Sequence, residues 1–344
     1  MRETVSFDDV LLLPKYSDIH SRASIETSRK IGIGEFTTPV ISSPMDTITE
    51  TSMLDEMSRL GGLGITHRYN TLSEQTKIVH MSHANGATNI GAAIGVSGDY
   101  LDRAKSLVMA GARYLCVDIA HGHHSMMKNA LKNLKSMFSD DIAIIAGNVA
   151  TLEGFNDLSD WGADAVRVGI GGGSICSTRI KTGHGMPTLQ SIIDCAQSDR
   201  DAVLIADGGI KTSGDVVKAI AAGADFVMLG SMISGTDETP GKIMEVPEIV
   251  GGQQVYNKYK TYRVMASVEA QIDWRGHTAS VEGVSSVVKY KGAVKYIVDD
   301  IMRGLRSGMS YSGAKTISEF QATAQFIRQT NSAQIESSTH INRV

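Results

Sequence analysis

A cysteine set among glycines and hydroxyl-bearing residues is the first place in this sequence where covalent chemistry could occur. The stretch GIGGGSICSTR (169–179) follows a short apolar run and puts Cys176 beside Ser174, Thr178 and Arg179. Gly169, Gly171, Gly172 and Gly173 let the backbone adopt positive φ and turn amides or carbonyls inward. Neighbouring amides or cations lower a thiol's pKa, which is what a nucleophilic cysteine requires. Cys116, inside the run YLCVD, and Cys195, on the helical stretch LQSIIDCA, are expected instead to be small buried hydrophobes. Two further turns, DGGI (207–210) and GSMISG (230–235), offer backbone amides of the kind that hold phosphate. Either turn alone is weak evidence; the pair, at the ends of consecutive apolar runs, is more specific. His121, His123 and His124 are spaced unlike a zinc-binding helix, and no cysteine or paired carboxylate stands near to complete a metal site. They read as a polar loop lining the site.

These loops need elements to hold them together. Eight runs of β-branched and aliphatic residues bounded by turn residues recur along the chain: PVISS (39–43), GLGIT (62–66), IGAAI (90–94), RYLCVD (113–118), IAIIAG (142–147), DAVRVG (164–169), AVLIAD (202–207) and DFVMLG (225–230). Stretches of helical period lie between them, among them 97–112, 124–138 and 212–224. The runs are continuous rather than alternating, as in parallel strands covered on both faces. The expected class is α/β, a (β/α)8 TIM barrel with its site at the C-terminal ends of the strands. An open doubly wound sheet would call for an early G-x-G-x-x-G, which is missing. Residues 1–330 are expected to form one barrel domain. A polar, β-prone insertion at about 250–295, after the eighth strand, is expected to fold over the C-terminal face, and 331–344 to form a flexible tail.

Composition narrows the partners. Thirty-three basic against 37 acidic residues give a net charge of −4, so there is no surplus of positive charge for nucleic acid. Three widely spaced cysteines without C-x-x-C argue against a disulfide framework and fit a reducing cytoplasm. No apolar run approaches the ~18 residues that would span a bilayer. The N-terminus, MRETVSFDDV, is acidic where a signal peptide is apolar.

FDDVLLLPKYSDI (7–19), SPMDTITE (43–50), DIAHGH (118–123), AGNVAT (146–151), VGIGGGSICSTR (168–179), ADGGIKTSGD (206–215), FVMLGSMISGTDETPG (226–241) and YKG (290–292) together resemble the IMP dehydrogenase/GMP reductase family, over about residues 5–330. The resemblance implies a cytoplasmic homotetrameric barrel enzyme that acts on a purine nucleoside monophosphate with a nicotinamide cofactor. Carried over residue by residue, it implies that Cys176 attacks purine C2 while Thr178 and Glu282 exchange protons. Ser174, Asp207, Gly208, Gly209, Gly230, Ser231, Tyr262, Met265 and Gly283 would bind the nucleotide. Ser21, Arg22, Arg68, Asp118, Ala120, Ile170 and Gly171 would face NADPH. Carbonyls of Gly171, Gly173, Cys176 and Arg179 would hold potassium.

The GMP reductase branch is favoured. Only about 23 residues separate the second and third runs, leaving no room for the paired CBS modules that dehydrogenases usually insert there. The stretch 266–281 contains Arg275 but no tyrosine, so the Arg-Tyr pair with which dehydrogenases activate water is missing. IKTG (180–183) and SRASIETSR (21–29) also resemble reductases, whereas SPMDTITE, KTYR and GSMISGTDETPG resemble dehydrogenases. The alternative is therefore a dehydrogenase without CBS modules. Gly172 stands where the family usually has proline, which loosens the cysteine loop. Val264 stands where it usually has glycine, which adds bulk beside the base.

Overall fold

The computed structural model describes residues 2–251, 253–263, 267–275 and 283–337. The N-terminal strand β1 (Val10–Leu12) pairs antiparallel with a late strand, Phe326–Arg328, tying the two ends of the chain together. A hairpin of β2 (Arg29–Ile31) and β3 (Gly34–Phe36) then closes the lower mouth of the barrel. Ile31 and Phe36 are fully buried there, and the Phe36 ring lies 5.4 Å from those of Tyr114 and Phe226.

The eight expected runs become β4 (Val40–Ser42), β5 (Leu63–Thr66), β6 (Ile90–Ile94), β7 (Tyr114–Asp118), β8 (Ala143–Val149), β9 (Ala165–Val168), β10 (Val203–Asp207) and β11 (Phe226–Leu229). They pair in parallel in chain order, and β11 closes on β4 through Val227↔Val40, Met228↔Ile41 and Leu229↔Ser42. Alternate residues supply two separate cores. Ile41, Leu63, Ile65, Cys116, Ile145, Ile205 and Met228 fill the barrel, while Val40, Ile90, Leu115, Val117, Val166 and Val227 pack under the helices. Both faces of each strand are apolar for that reason, and the expected TIM barrel is the fold observed.

The helices covering it are α1 (Thr51–Arg59), α2 (Leu72–Ala84), α3 (Tyr100–Met109), α4 (Ser125–Phe138), α5 (Leu152–Asp160), α6 (Thr178–Thr182), α7 (Thr188–Cys195) and α8 (Ser213–Ala221). Only α2 lies between β5 and β6. Thr212 caps α8 in a box with Asp215, as its sequence suggests, whereas α4 is capped by the His124 ring accepting from the Met126 amide.

After β11 the chain forms a three-stranded antiparallel sheet of β12 (Met244–Val250), β13 (Gln253–Arg263) and β14 (Ser285–Lys289), with α9 (Val268–Arg275) between the last two. The insertion thus begins near Met244, ahead of the expected 250, and its base rests on the C-terminal face. Lys260 Nζ donates to the carbonyls of Thr236 and Thr239, and Arg263 pairs with Asp46 after β4. Next come α10 (Val294–Tyr311), packed along α8, α11 (Ile317–Thr323) and α12 (Asn331–Glu336). The segment expected to be a flexible tail therefore opens with a helix, because the Thr330 hydroxyl accepts from the Ala333 amide and nucleates it; 338–344 lie outside the described residues. Among the described residues no helix is long and apolar enough to cross a membrane.

Phe36→Ala should lower unfolding free energy by about 3–5 kcal/mol, since it empties an aromatic contact at the closed end of the barrel. Urea denaturation followed by circular dichroism checks this.

Candidate active site

The ends of β4 to β11 and the loops after them surround one cleft of about 480 Å³. Its centre is the loop after β9, which can occupy this position only because it lacks side chains. Gly169 has φ +151°, and a Cβ there would lie 1.9 Å from the carbonyl oxygen of Asp207. A Cβ on Gly208, at φ +93°, would lie 3.2 Å from the Gly173 nitrogen and 3.3 Å from the Gly172 carbonyl carbon. The sixth and seventh loops therefore meet backbone to backbone. Gly172, which stands where the family usually has proline, leaves space for Thr188. The Thr188 hydroxyl lies 2.3 Å from where a Cβ of Gly172 would stand, and it has no hydrogen-bond partner among the described residues.

Cys176 is half-buried in this loop, and its thiol donates to Thr178 Oγ1 at 3.2 Å. The chain returning from the insertion passes alongside: Gly283 is bridged to Cys176, and the Val284 amide donates to the Ile175 carbonyl. The other two thiols are excluded from chemistry. Burial pushes Cys116 and Cys195 up to about 12, so neither is a thiolate near neutrality.

One side of the cleft collects Ser174, Gly208, Gly209, Gly230, Ser231 and Tyr262. Tyr262 is 5% exposed and its hydroxyl lies 3.4 Å from Ser174 Oγ. Burial raises its pKa, against the opposing hydrogen bonds from Ser174 and Ser231, so it stays a neutral donor. The loop after Gly230 is tied down by the Lys291 ammonium, which donates to the carbonyls of Ser231 and Met232 at 2.8 and 3.0 Å. Arg68, Asp118, Ala120, Ile170 and Gly171 line the adjoining part. The floor between the two parts is ionic. Arg167 Nη1 donates to Asp118 Oδ1 at 2.5 Å and Nη2 to Asp207 Oδ2 at 2.9 Å, while Asn148 Nδ2 donates to the same Asp207 oxygen at 2.8 Å. Burial opposes the Arg167 charge, but its carboxylate neighbours more than offset this and it remains protonated.

Cys176, Thr178 and most of the expected binding residues thus share one cleft. Arg179 belongs to the loop but directs its guanidinium to the Met186 carbonyl, packing against Gly171 and Gly185. Met265 and Glu282 lie outside the described residues. Ser21 and Arg22 are not brought to this cleft. They lie beside the far end of α10, with the Arg22 guanidinium 5.9 Å above the Tyr311 ring. The histidines do not line it either, because His123 pairs with Asp157 at 2.8 Å and His124 caps α4; the two residues before them, Ile119 and Ala120, take that place. No group of three or more metal-ligating His, Cys, Asp or Glu is found among the described residues. Sequence reasoning passed over Arg167 and Asn148. The signal for Arg167 was a charge inside the otherwise apolar run DAVRVG, where an unpaired guanidinium could not be buried.

The sequence model of one family, described as the IMP dehydrogenase / GMP reductase domain, matches residues 4–340. The inosine-5'-monophosphate dehydrogenase of Nitrosopumilus maritimus is 34% identical over 477 aligned positions, covering 98% of this chain and 98% of that protein. The enzyme of the same name from Streptococcus pyogenes is 41% identical over 310 residues, covering 85% of this chain, which spans only 60% of that protein's length. Among solved structures, a variant GMP reductase from Trypanosoma brucei in complex with guanosine 5'-monophosphate superposes with a TM-score of 0.90 at 30% identity, over 100% of this chain and 99% of that one.

Under native conditions at pH 8, iodoacetamide should label Cys176 and spare Cys116 and Cys195, whose thiolate fraction there is on the order of 10⁻⁴. Peptide mass mapping before and after denaturation checks this.

Proposed function

The chain belongs to the IMP dehydrogenase/GMP reductase family of oxidoreductases, and on that footing we propose that it is a GMP reductase, converting GMP, NADPH and a proton to IMP, ammonia and NADP⁺. In this reading the Cys176 thiolate adds to purine C2 and the exocyclic amine leaves as ammonia. The amine must be protonated to depart, and Thr178, two residues from the thiol, relays that proton from Glu282. Gly283, the chain neighbour of Glu282, is bridged to Cys176, which supports this pairing. The reduced nicotinamide, when bound, supplies hydride to C2. The C2–S bond then breaks, returning the thiolate and releasing IMP.

Ser174, Gly208, Gly209, Gly230, Ser231 and the neutral Tyr262 hydroxyl hold the phosphate. Asp207 accepts from the ribose hydroxyls: among the described residues its side-chain donors go to Oδ2, which leaves Oδ1 for substrate. Gly283 and Met265 contact the base. NADPH is assigned to the part of the cleft lined by Arg68, Asp118, Ala120, Ile170 and Gly171. That assignment is supported by the ion pairs through which Arg167 joins Asp118 of this part to Asp207 of the nucleotide part. Ser21 and Arg22, which do not line this cleft, are assigned to a dinucleotide held by a second copy of the chain in a homotetramer. The carbonyls of Gly171, Gly173, Cys176 and Arg179 are hard oxygen donors suited to potassium, which would stiffen the loop. One loop cannot fill such a shell, so water or a second copy would complete it.

A single observation carries the choice of direction: 264–281 contains no tyrosine. IMP oxidation leaves a covalent adduct that water must cleave, and the chain lacks the Arg-Tyr pair that activates water in dehydrogenases. Loss of a placed general base costs about 10² to 10⁴ in rate. The curated relatives named inosine-5'-monophosphate dehydrogenase favour the second reading, oxidation of IMP with NAD.

Absorbance at the nicotinamide band decides between them. GMP with NADPH should turn over many times, and IMP with NAD should yield little beyond one NADH per site. Sustained NADH formation at a rate equal to GMP reduction would overturn the reductase reading. Glu282→Gln should lower kcat by about 10² to 10⁴ with little change in GMP affinity, as measured by ammonia release and equilibrium binding.

A further inference from the structure

The cleft floor contains a charged group, Arg167, to which the reading above gives no contact with either ligand. Arg167 on β9 has a side chain only 8% exposed, yet it reaches carboxylates at the ends of two other strands. Its Nη1 holds Asp118 Oδ1, and its Nε and Nη2 both hold Asp207 Oδ2, at 3.3 and 2.9 Å. The second Asp118 oxygen faces Arg68 Nε at 4.0 Å. Under the functional reading above, on which this inference rests, Asp207 belongs to the substrate ribose and Asp118 to the dinucleotide. We propose that Arg167 is a positioning residue that fixes both carboxylates with one guanidinium, so that the nucleotide and dinucleotide subsites are energetically coupled through it.

The chemistry of the fork supports this. A planar guanidinium presents donors along two edges and can satisfy two carboxylates in fixed directions, whereas an ammonium is a point charge with no such geometry. A strand residue cannot withdraw to solvent, and two carboxylates left facing a buried site without their cation would repel each other. Asp207 Oδ2 receives Arg167 and Asn148 together, which fixes the direction of Oδ1 towards the ribose. Anything that pulls on Asp118 from the dinucleotide side therefore pulls on the same guanidinium that sets Asp207. Nη1 also donates weakly to Cys116 Sγ at 3.5 Å, whose thiol burial keeps neutral, so no further charge meets the guanidinium from that side.

The test uses the full chain and titration calorimetry with GMP, alone and with saturating NADP⁺, a pair between which no hydride can pass. In the wild type, NADP⁺ should change GMP affinity. In Arg167→Lys, GMP affinity should fall about tenfold or more, and the ratio of affinities with and without NADP⁺ should approach one. Asp118→Asn, nearly isosteric, carries the argument if the lysine variant does not fold: it should weaken GMP binding with no dinucleotide present, because Asp118 reaches the ribose side only through Arg167. A folded Arg167→Lys protein that binds GMP like the wild type, or an Asp118→Asn protein altered only in NADP⁺ affinity, overturns the assignment. Wild-type protein that binds neither GMP nor IMP overturns instead the functional reading beneath it.

Discussion

Two loops of this barrel lie closer than side chains allow. With the Asp207 carbonyl 1.9 Å from the position of a Gly169 Cβ, and Gly208 against Gly172 and Gly173, the loop after β9 reaches its place only as bare backbone. That contact sets where Cys176 stands, how Ser174 meets Tyr262, and which side of Asp207 opens to the cleft. Closure of the barrel supplies the other half of the constraint, since β9 and β10 are neighbours in register and cannot move apart without breaking the ring. The cysteine is thus carried by a loop but located by the sheet.

Charge placement follows the same logic. The interior of the barrel is apolar except at its upper rim, where Arg167 sits among Asp118, Asp207 and Asn148. A buried cation is tolerable there because every face of the guanidinium meets an acceptor or a neutral neighbour. Cys116 lies in that apolar interior, and its thiol is held neutral by burial. Of the three thiols, Cys176 alone borders the cleft, so one protein keeps a single cysteine available for chemistry without needing to modify the others.

The insertion after β11 acts as a third wall rather than as an ornament on the barrel. Strand alternation on β13 puts Lys260 and Tyr262 on the barrel side. Lys260, whose ammonium is disfavoured by burial, is held by the carbonyls of Thr236 and Thr239, and Tyr262 reaches Ser174. Arg263, next along, ties the same strand to Asp46 beyond β4 and to Asp273 on α9. Three contacts therefore pin the strand, one each to the loops after β11, β9 and β4.

The order and number of barrel strands were legible in the sequence because a parallel strand buried on both faces leaves a continuous apolar run, and turn residues mark its end. The same local signal exposed the GIGGGSICSTR loop, whose run of glycines and hydroxyls fits neither a strand nor a helix period. The lower hairpin, in contrast, is short and mixed in composition, and only packing against Tyr114 and Phe226 reveals Ile31 and Phe36 as core. The histidines could not be placed from spacing, because their partners, Asp157 and the first turn of α4, depend on how that loop settles. Ser21 and Arg22 match the family's motif, yet their distance from this cleft is a property of how the N-terminal segment runs along α10. Arg167 shows the division most clearly. Its residue type and its place in a strand were written in the chain, but its meaning comes from Asp118 and Asp207, which stand 49 and 40 residues away. Local composition determines which segments become strands and which loops are permissive; which charges meet is decided only when the ring closes, because pairing energy depends on distance and burial, and neither is a property of sequence neighbours.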